Sequence, residues 1–219
     1  MRSLTKRPIP EVLAKNAETW LAEHLADPTS KTKKYRYRDP SIKADLRDET
    51  SWKCIYCESK IGHNTPGDIE HKVPSSKDRK LHFSWENLTV ACTECNRRKN
   101  DFFEKDEGFL DPYSDPVEQL LVHAGPFVSW KAGDGRAETT VRILDLHNMT
   151  RAQLIQRKLE SLERARSLAD LAMSEGEGVL RTLRLDELKK MQASDSEYSA
   201  CISTFVQALL YGKNGSTSE

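Results

Sequence analysis

The sequence has no excess of charge of either sign, no long apolar run, and an odd number of cysteines. Its 219 residues balance 34 Lys plus Arg against 34 Asp plus Glu. That removes the overall basic surplus of many nucleic-acid-binding chains, so any such reading must come from local residues. No stretch approaches the roughly 20 apolar residues that cross a bilayer. The opening MRSLTKRPIPEV lacks a signal peptide's apolar segment. A cytoplasmic protein without membrane association is expected. Five cysteines without an export signal argue against a disulfide framework. Aromatic residues are only 7% of the chain, yet four Trp, six Phe, six Tyr and many leucines can build a core, which excludes wholesale disorder. There is no internal repeat and no low-complexity tract.

What is present begins with the cysteines. Four of the five fall as two C-x2-C pairs, Cys54 and Cys57 in KCIYCES and Cys92 and Cys95 in ACTECNRRK. Each pair can place two thiolates on one tetrahedral ion, and two pairs complete a four-sulfur structural Zn²⁺ site. A redox pair of the C-x-x-C kind would need a thioredoxin-like βαβ pattern, which is missing. Cys201, alone in an apolar helical stretch, reads as a core residue.

The rest of the chain organises around these pairs. Residues 1–52 form a helical and basic segment, with an amphipathic helix over PIPEVLAKNAETWLAEHLAD and a shorter one over SIKADLRDETSW. Residues 53–107 hold the cysteine pairs. Residues 108–149 are a turn-rich connector with a strand pair expected around FVSW and TTVRIL. Residues 150–212 carry two helical stretches, approximately 150–173 and 179–211, and residues 213–219 are a flexible tail.

Between Cys57 and Cys92 lie 34 residues, more than a simple zinc ribbon needs. DIEHKV reads as a strand that Pro74 ends, LTVAC as a second strand, and TECNRRKNDFFEK as a helix starting at the second cysteine pair. The expected fold class is therefore α+β: a zinc-stapled ββα finger embedded in a mostly α-helical body. Glu70 and His71 end the first strand, and Asn96 occupies the first helical turn. Lys99 and Asn100 follow three and four residues later on the Asn96 face.

The ordered set C-x2-C, E-H-x-x-P, E-N-L and C-x2-C-N-x-x-K resembles the HNH endonucleases of the ββα-metal, or His-Me finger, type. The match covers about 50 residues. Two flanks, GFLDPYSDP and TTVRILDLHNMTRAQLIQRK, are more loosely similar to the PtuB-type HNH nucleases of Septu and some retron anti-phage systems, which work with an ABC-type ATPase. The resemblance implies that His71 is the general base, that Glu70 and Asn96 are ligands of a catalytic Mg²⁺ or Mn²⁺, and that Asn87 ties the connecting loop and so orients His71. A carboxylate and an amide oxygen suit such a hard cation. It also implies a nucleic-acid substrate, DNA favoured, and an ATPase partner. The alternative is a non-catalytic zinc module that binds nucleic acid or a protein on an HNH scaffold.

Other residues stay open at the level of sequence. Asp68 is either an extra ligand or a hairpin residue, and Asn96 is either a ligand or a helix cap. Lys99, Arg97 and Arg98 either grip flanking phosphates or form a solvated helix face. Lys31, Lys33, Lys34, Arg36 and Arg38, interleaved with Tyr35 and Tyr37, read as an extended nucleic-acid contact or as an exposed linker. His24, His63, His82, His123 and His147 lack ligand-like spacing, although His63 and His82 lie within the finger and could approach a substrate. The charge balance is a partition: residues 1–100 carry 20 basic and 14 acidic side chains, whereas residues 101–150 carry 4 and 10.

Overall fold

A computed structural model describes residues 1–62, 67–105 and 108–211. His63 and the tail from residue 212 lie outside the described residues. Helix α1 spans Glu11–Ala26, α2 Lys31–Lys34 and α3 Pro40–Glu49. Strands β1 (Asp68–His71) and β2 (Leu88–Ala91) pair antiparallel, with Glu70 opposite Thr89 and His71 opposite Leu88. Helix α4 (Thr93–Lys99) follows directly and packs on β1. This is the expected ββα finger, set in an α+β fold.

The remainder is mostly helical. Helix α5 (Val117–Leu120) leads into strands β3 (Leu121–Ala124) and β4 (Phe127–Trp130), followed by α6 (Gly135–Ile143), α7 (Ala152–Ser174), α8 (Val179–Gln192) and α9 (Ser199–Tyr211). The last three helices pack on one another, and α9 also meets β3. No helix among the described residues is long and apolar enough to cross a membrane.

Four expectations from sequence are corrected. TTVRIL does not pair with FVSW but lies in α6, whose start is fixed by Asp134 accepting from the Ala137 amide; FVSW pairs instead with LVHA across Gly125, at φ +60°. The helix expected over 179–211 breaks between Gln192 and Ser199, where Tyr198 takes φ +55° and Lys53 donates to the Ser194 and Ser196 carbonyls. The basic tyrosine-containing segment is not extended: Ser30 caps α2 and Tyr35–Arg38 continue as a 3-10 turn. That turn buries Tyr37 and leaves Tyr35 exposed. Helix α4 stops at Lys99, because Asn100 turns to φ +48°.

The finger is fastened to the helical body through buried polar contacts. Glu58, beside the first cysteine pair, accepts from Ser199 Oγ and the Ala200 amide, both at 3.2 Å, and so caps α9 with negative charge. It also pairs with the chain's amino-terminal ammonium and lies 3.9 Å from Lys53 Nζ. On the opposite side of the finger, Lys6 donates to Glu49 at 3.0 Å and to the Leu88 carbonyl at 2.6 Å. Tyr113 donates to the same carboxylate, Glu49.

Burial alone would raise the Glu58 pKa, but the amino-terminal ammonium and Lys53 hold it down at about 2. A depressed folded-state value stabilises the protein above the ordinary 4.5, and the contribution is lost as pH falls toward 2. Glu58→Gln is expected to cost about 3 kcal/mol at pH 7, measured by urea unfolding, with the difference from wild type shrinking below pH 4. An unchanged midpoint at pH 7 would show that Glu58 is not an anchor.

Candidate functional site

Both cysteine pairs converge. The Sγ atoms of Cys54, Cys57, Cys92 and Cys95 all lie within 4.8 Å of one another. A tetrahedral ion with Zn–S bonds of about 2.3 Å separates its sulfurs by about 3.8 Å, and Cys57 and Cys92 are 3.8 Å apart. The donor set and its spacing fit zinc. Cys92 also caps α4, its sulfur accepting from the Cys95 amide, so the knuckle and the helix start are one structure.

The cluster has a charged neighbour that sequence reading missed. Arg151, only 8% exposed, donates through one nitrogen to Cys95 Sγ at 3.2 Å and to the Leu144 carbonyl at 3.3 Å. Burial works against its charge, but the sulfurs of Cys95, Cys57 and Cys92 favour it strongly. Four thiolates around a divalent ion leave a net charge of about −2, and a buried guanidinium offsets part of it. Arg151 lies within TTVRILDLHNMTRAQLIQRK, a flank singled out from sequence without any chemistry attached to it.

A polar cleft of about 450 Å³ opens on the other side of the finger, lined by Tyr37, Arg38, Lys43, Asp68, Glu70, His71, Ser75, Asn96 and Asn100 among others. The fold thus brings Glu70, His71 and Asn96 to one surface, with Asp68 beside them. His71 Nε2 lies 2.9 Å from the carbonyl of His82, an acceptor only, so this nitrogen carries the proton and Nδ1 keeps the lone pair. Burial, aided by His82, Lys99 and Lys34, lowers the His71 pKa to about 4 and keeps the ring neutral at physiological pH.

Asn87 sits behind this arrangement, only 5% exposed. Its Oδ1 accepts from the Val73 amide at 2.7 Å, and its Nδ2 donates to the carbonyls of Val73 and Leu81 at 3.0 and 3.1 Å. Both ends of the loop after β1 are pinned, which holds His71 on one side and His82 on the other. These contacts are of the kind expected for the middle Asn.

Lys99 differs from expectation. It is 1% exposed; its ammonium meets Glu70 Oε1 at 2.5 Å and the His71 carbonyl at 2.9 Å. Neither a phosphate grip nor a solvated face fits, because a buried carboxylate needs a cation more than the helix surface does. Burial raises the Glu70 pKa to about 6 in spite of Lys99. The oxygens of Glu70 and Asn96, with Asp68 and Asn100 on the same wall, are hard donors that fit Mg²⁺ or Mn²⁺ with water completing the shell.

The other cations separate into committed and free. Arg97 and Arg98 pair with Glu94, and Arg98 also with Asp145. Lys33 pairs with Asp27 and Arg36 with Glu23. Lys34 and Arg38 stack over the Tyr35 ring and form no ion pair among the described residues, and Arg38 reaches the cleft. Lys43, which sequence reading passed over, lines the cleft beside it. The missed residues Lys43, Ser75 and Arg151 had no spacing signal, since each reaches its site from a separate segment, whereas Tyr37 reads from sequence only as part of a nucleic-acid contact or linker.

Arg151→Met is expected to speed zinc loss to a chelator by about 10-fold or more, followed with a colorimetric zinc indicator, while the helical circular dichroism is retained. Cys92→Ser is expected to abolish stoichiometric zinc and unfold the finger. Equal zinc release from wild type and Arg151→Met would remove the guanidinium from the metal's surroundings.

Comparison with known proteins gives the same location. Residues 54–102 match the family model described as HNH endonuclease. The chain is 30% identical over 114 residues to the Septu protein PtuB of Bacillus thuringiensis, covering 51% of this chain and 43% of that protein. It is 28% identical over 142 residues to the Septu protein PtuB of Bacillus mycoides (strain KBAB4), covering 51% of this chain and 48% of that protein. The matched region spans less than half the length of either relative. The four-cysteine cluster, the cleft residues Glu70, His71 and Asn96, and the matched span coincide: residues 54–102 match the HNH endonuclease family model, in a chain similar over about half its length to Septu PtuB proteins.

Proposed function

We propose that this chain is a metal-dependent HNH endonuclease that hydrolyses phosphodiester bonds in nucleic acid, DNA by preference, and serves as the nuclease of a Septu-type anti-phage system with an ABC-type ATPase. The observation that carries the reading is that His71, with its Nε2 committed to the His82 carbonyl, lines one polar cleft together with Glu70 and Asn96. The DNA preference follows from the HNH resemblance, and the ATPase from the Septu resemblance.

In this reading His71 Nδ1 takes the proton of the attacking water, and no prior deprotonation of the imidazole is needed. The His82 carbonyl keeps Nε2 protonated throughout, so the lone pair stays on Nδ1. Asn87 fixes the loop that carries both groups. Glu70 and Asn96 would hold the catalytic cation, which when bound would supply positive charge where the phosphate accumulates negative charge. Lys99 braces Glu70 and the His71 backbone from below. Arg38 and Lys43 at the rim receive phosphates flanking the scissile one, a sequence-independent contact. The finger, residues 53–107, does the chemistry, and the segment 1–52 completes its substrate wall.

His71→Ala is expected to reduce cleavage of DNA in Mg²⁺ or Mn²⁺ by at least about 100-fold, with zinc content and melting temperature preserved. The assay compares the chain alone and with its genomic-neighbour ATPase. Cleavage that persists in His71→Ala would sink the mechanism, and co-purification of an ATPase without any nuclease activity would favour a binding role instead.

A further inference from the structure

Behind the His71 ring lies a second imidazole that takes no direct part in the chemistry just described. His82 is 1% exposed and does not line the cleft. Its ring stacks on His71 with centroids 4.7 Å apart and planes 10° from parallel. Its own tautomer is fixed: Nε2 lies 2.7 Å from the Lys34 carbonyl, an acceptor, so Nδ1 accepts from Ser75 Oγ at 2.5 Å. His24 stacks on its other side at 4.6 Å and Phe83 meets its ring at 4.7 Å, 83° from parallel. Tyr37 closes the remaining side, edge-on to both His71 and His82.

We propose that His82 is a positioning residue for the proposed general base, setting the ring plane of His71 by stacking and its tautomer by placing the backbone carbonyl that receives Nε2–H. This deepens the nuclease reading and rests on it. A single hydrogen bond restrains the imidazole only loosely about χ2, a broad torsion in histidine. The parallel stack removes that freedom, and the two hydrogen bonds of the His82 side chain fix the residue that bears the carbonyl. Those bonds reach Ser75, in the loop after His71, and Lys34, in the basic segment that also supplies Arg38. Three segments are thereby locked around one nitrogen. A histidine present merely to fill the core would need neither bond and would be replaceable by another ring of similar size.

Two substitutions separate these cases. His82→Phe keeps the volume and the stack but loses both hydrogen bonds; His82→Gln keeps a donor and an acceptor but loses the ring. The readouts are kcat and KM for DNA cleavage in Mg²⁺ or Mn²⁺, and the imidazole ¹⁵N–¹H spectrum of full-length protein, with His71 assigned by its disappearance in His71→Ala. Wild type is expected to show His71 as a single Nε2–H tautomer. In His82→Phe that signature is expected to average toward both tautomers, and kcat to fall about 10-fold or more with KM within about twofold; His82→Gln is expected to recover the tautomer in part. An unchanged His71 spectrum and kcat in His82→Phe would overturn the proposal, even with a lowered melting temperature. If His82→Phe fails to retain zinc and fold, an unchanged His71 signature and kcat in His82→Gln would overturn it equally. A wild-type protein that cleaves no nucleic acid would instead defeat the nuclease reading, and the spectrum alone would then decide whether His82 sets the tautomer.

Discussion

Four sulfurs drawn to one point from two knuckles separated by 34 residues are the constraint on which the rest of the finger depends. Between them the chain must leave one knuckle, form β1, make a long loop, return as β2 and enter the second knuckle. Closing a loop of that length costs conformational entropy, and so short a hairpin has little apolar area to offset it. A structural zinc on these sulfurs would contribute on the order of 10 kcal/mol to the folded state, enough to hold an otherwise marginal two-stranded sheet. With the knuckle fixed, the start of α4 is fixed as well, because Cys92 is both sulfur donor and helix cap. Asn96 and Lys99 then face β1 at set heights.

The finger nevertheless does not stand alone. Arg151 reaches Cys95 from the segment before α7, Glu58 caps α9 from the first knuckle, and Lys6 and Tyr113 share Glu49 behind β2. All are buried charges or charge-assisted hydrogen bonds. Removing one partner of such a contact costs more than the contact contributes, since the other is left desolvated. The helical body is thus more than a passive neighbour: it places a cation against the sulfur cluster and contacts the finger through Glu58, while the N-terminal segment supplies Tyr37, Arg38 and Lys43 to the cleft.

Much of the finger was legible from residue type and spacing. Two C-x2-C pairs can meet on one ion almost regardless of what lies between them, and DIEH and LTVA are short apolar-bearing runs bounded by Pro74, Asn87 and a knuckle. Asn87 was legible through family resemblance, and its three hydrogen bonds to the loop give that resemblance a physical content. Lys99 was not legible: spacing placed it correctly on the Asn96 face, but the face points inward, and only the packing of α4 on β1 turns a helix-surface lysine into the counter-ion of Glu70. TTVRIL failed for a related reason, since its β-branched residues favour a strand while the Asp134 cap and packing against β4 make it helical.

By itself, the sequence determined the two cysteine pairs that meet, the ββα order and the candidate trio Glu70, His71 and Asn96, because cysteine spacing and strand or helix periodicity are local patterns. Tertiary structure alone decided which nitrogen of His71 holds the lone pair, which cations reach the cleft and which are spent in ion pairs, and that His82 sits against His71 and Arg151 against the sulfur cluster. Those outcomes join residues 11 to 56 positions apart along the chain, and a contact that long-range depends on how whole elements pack, which no local pattern encodes.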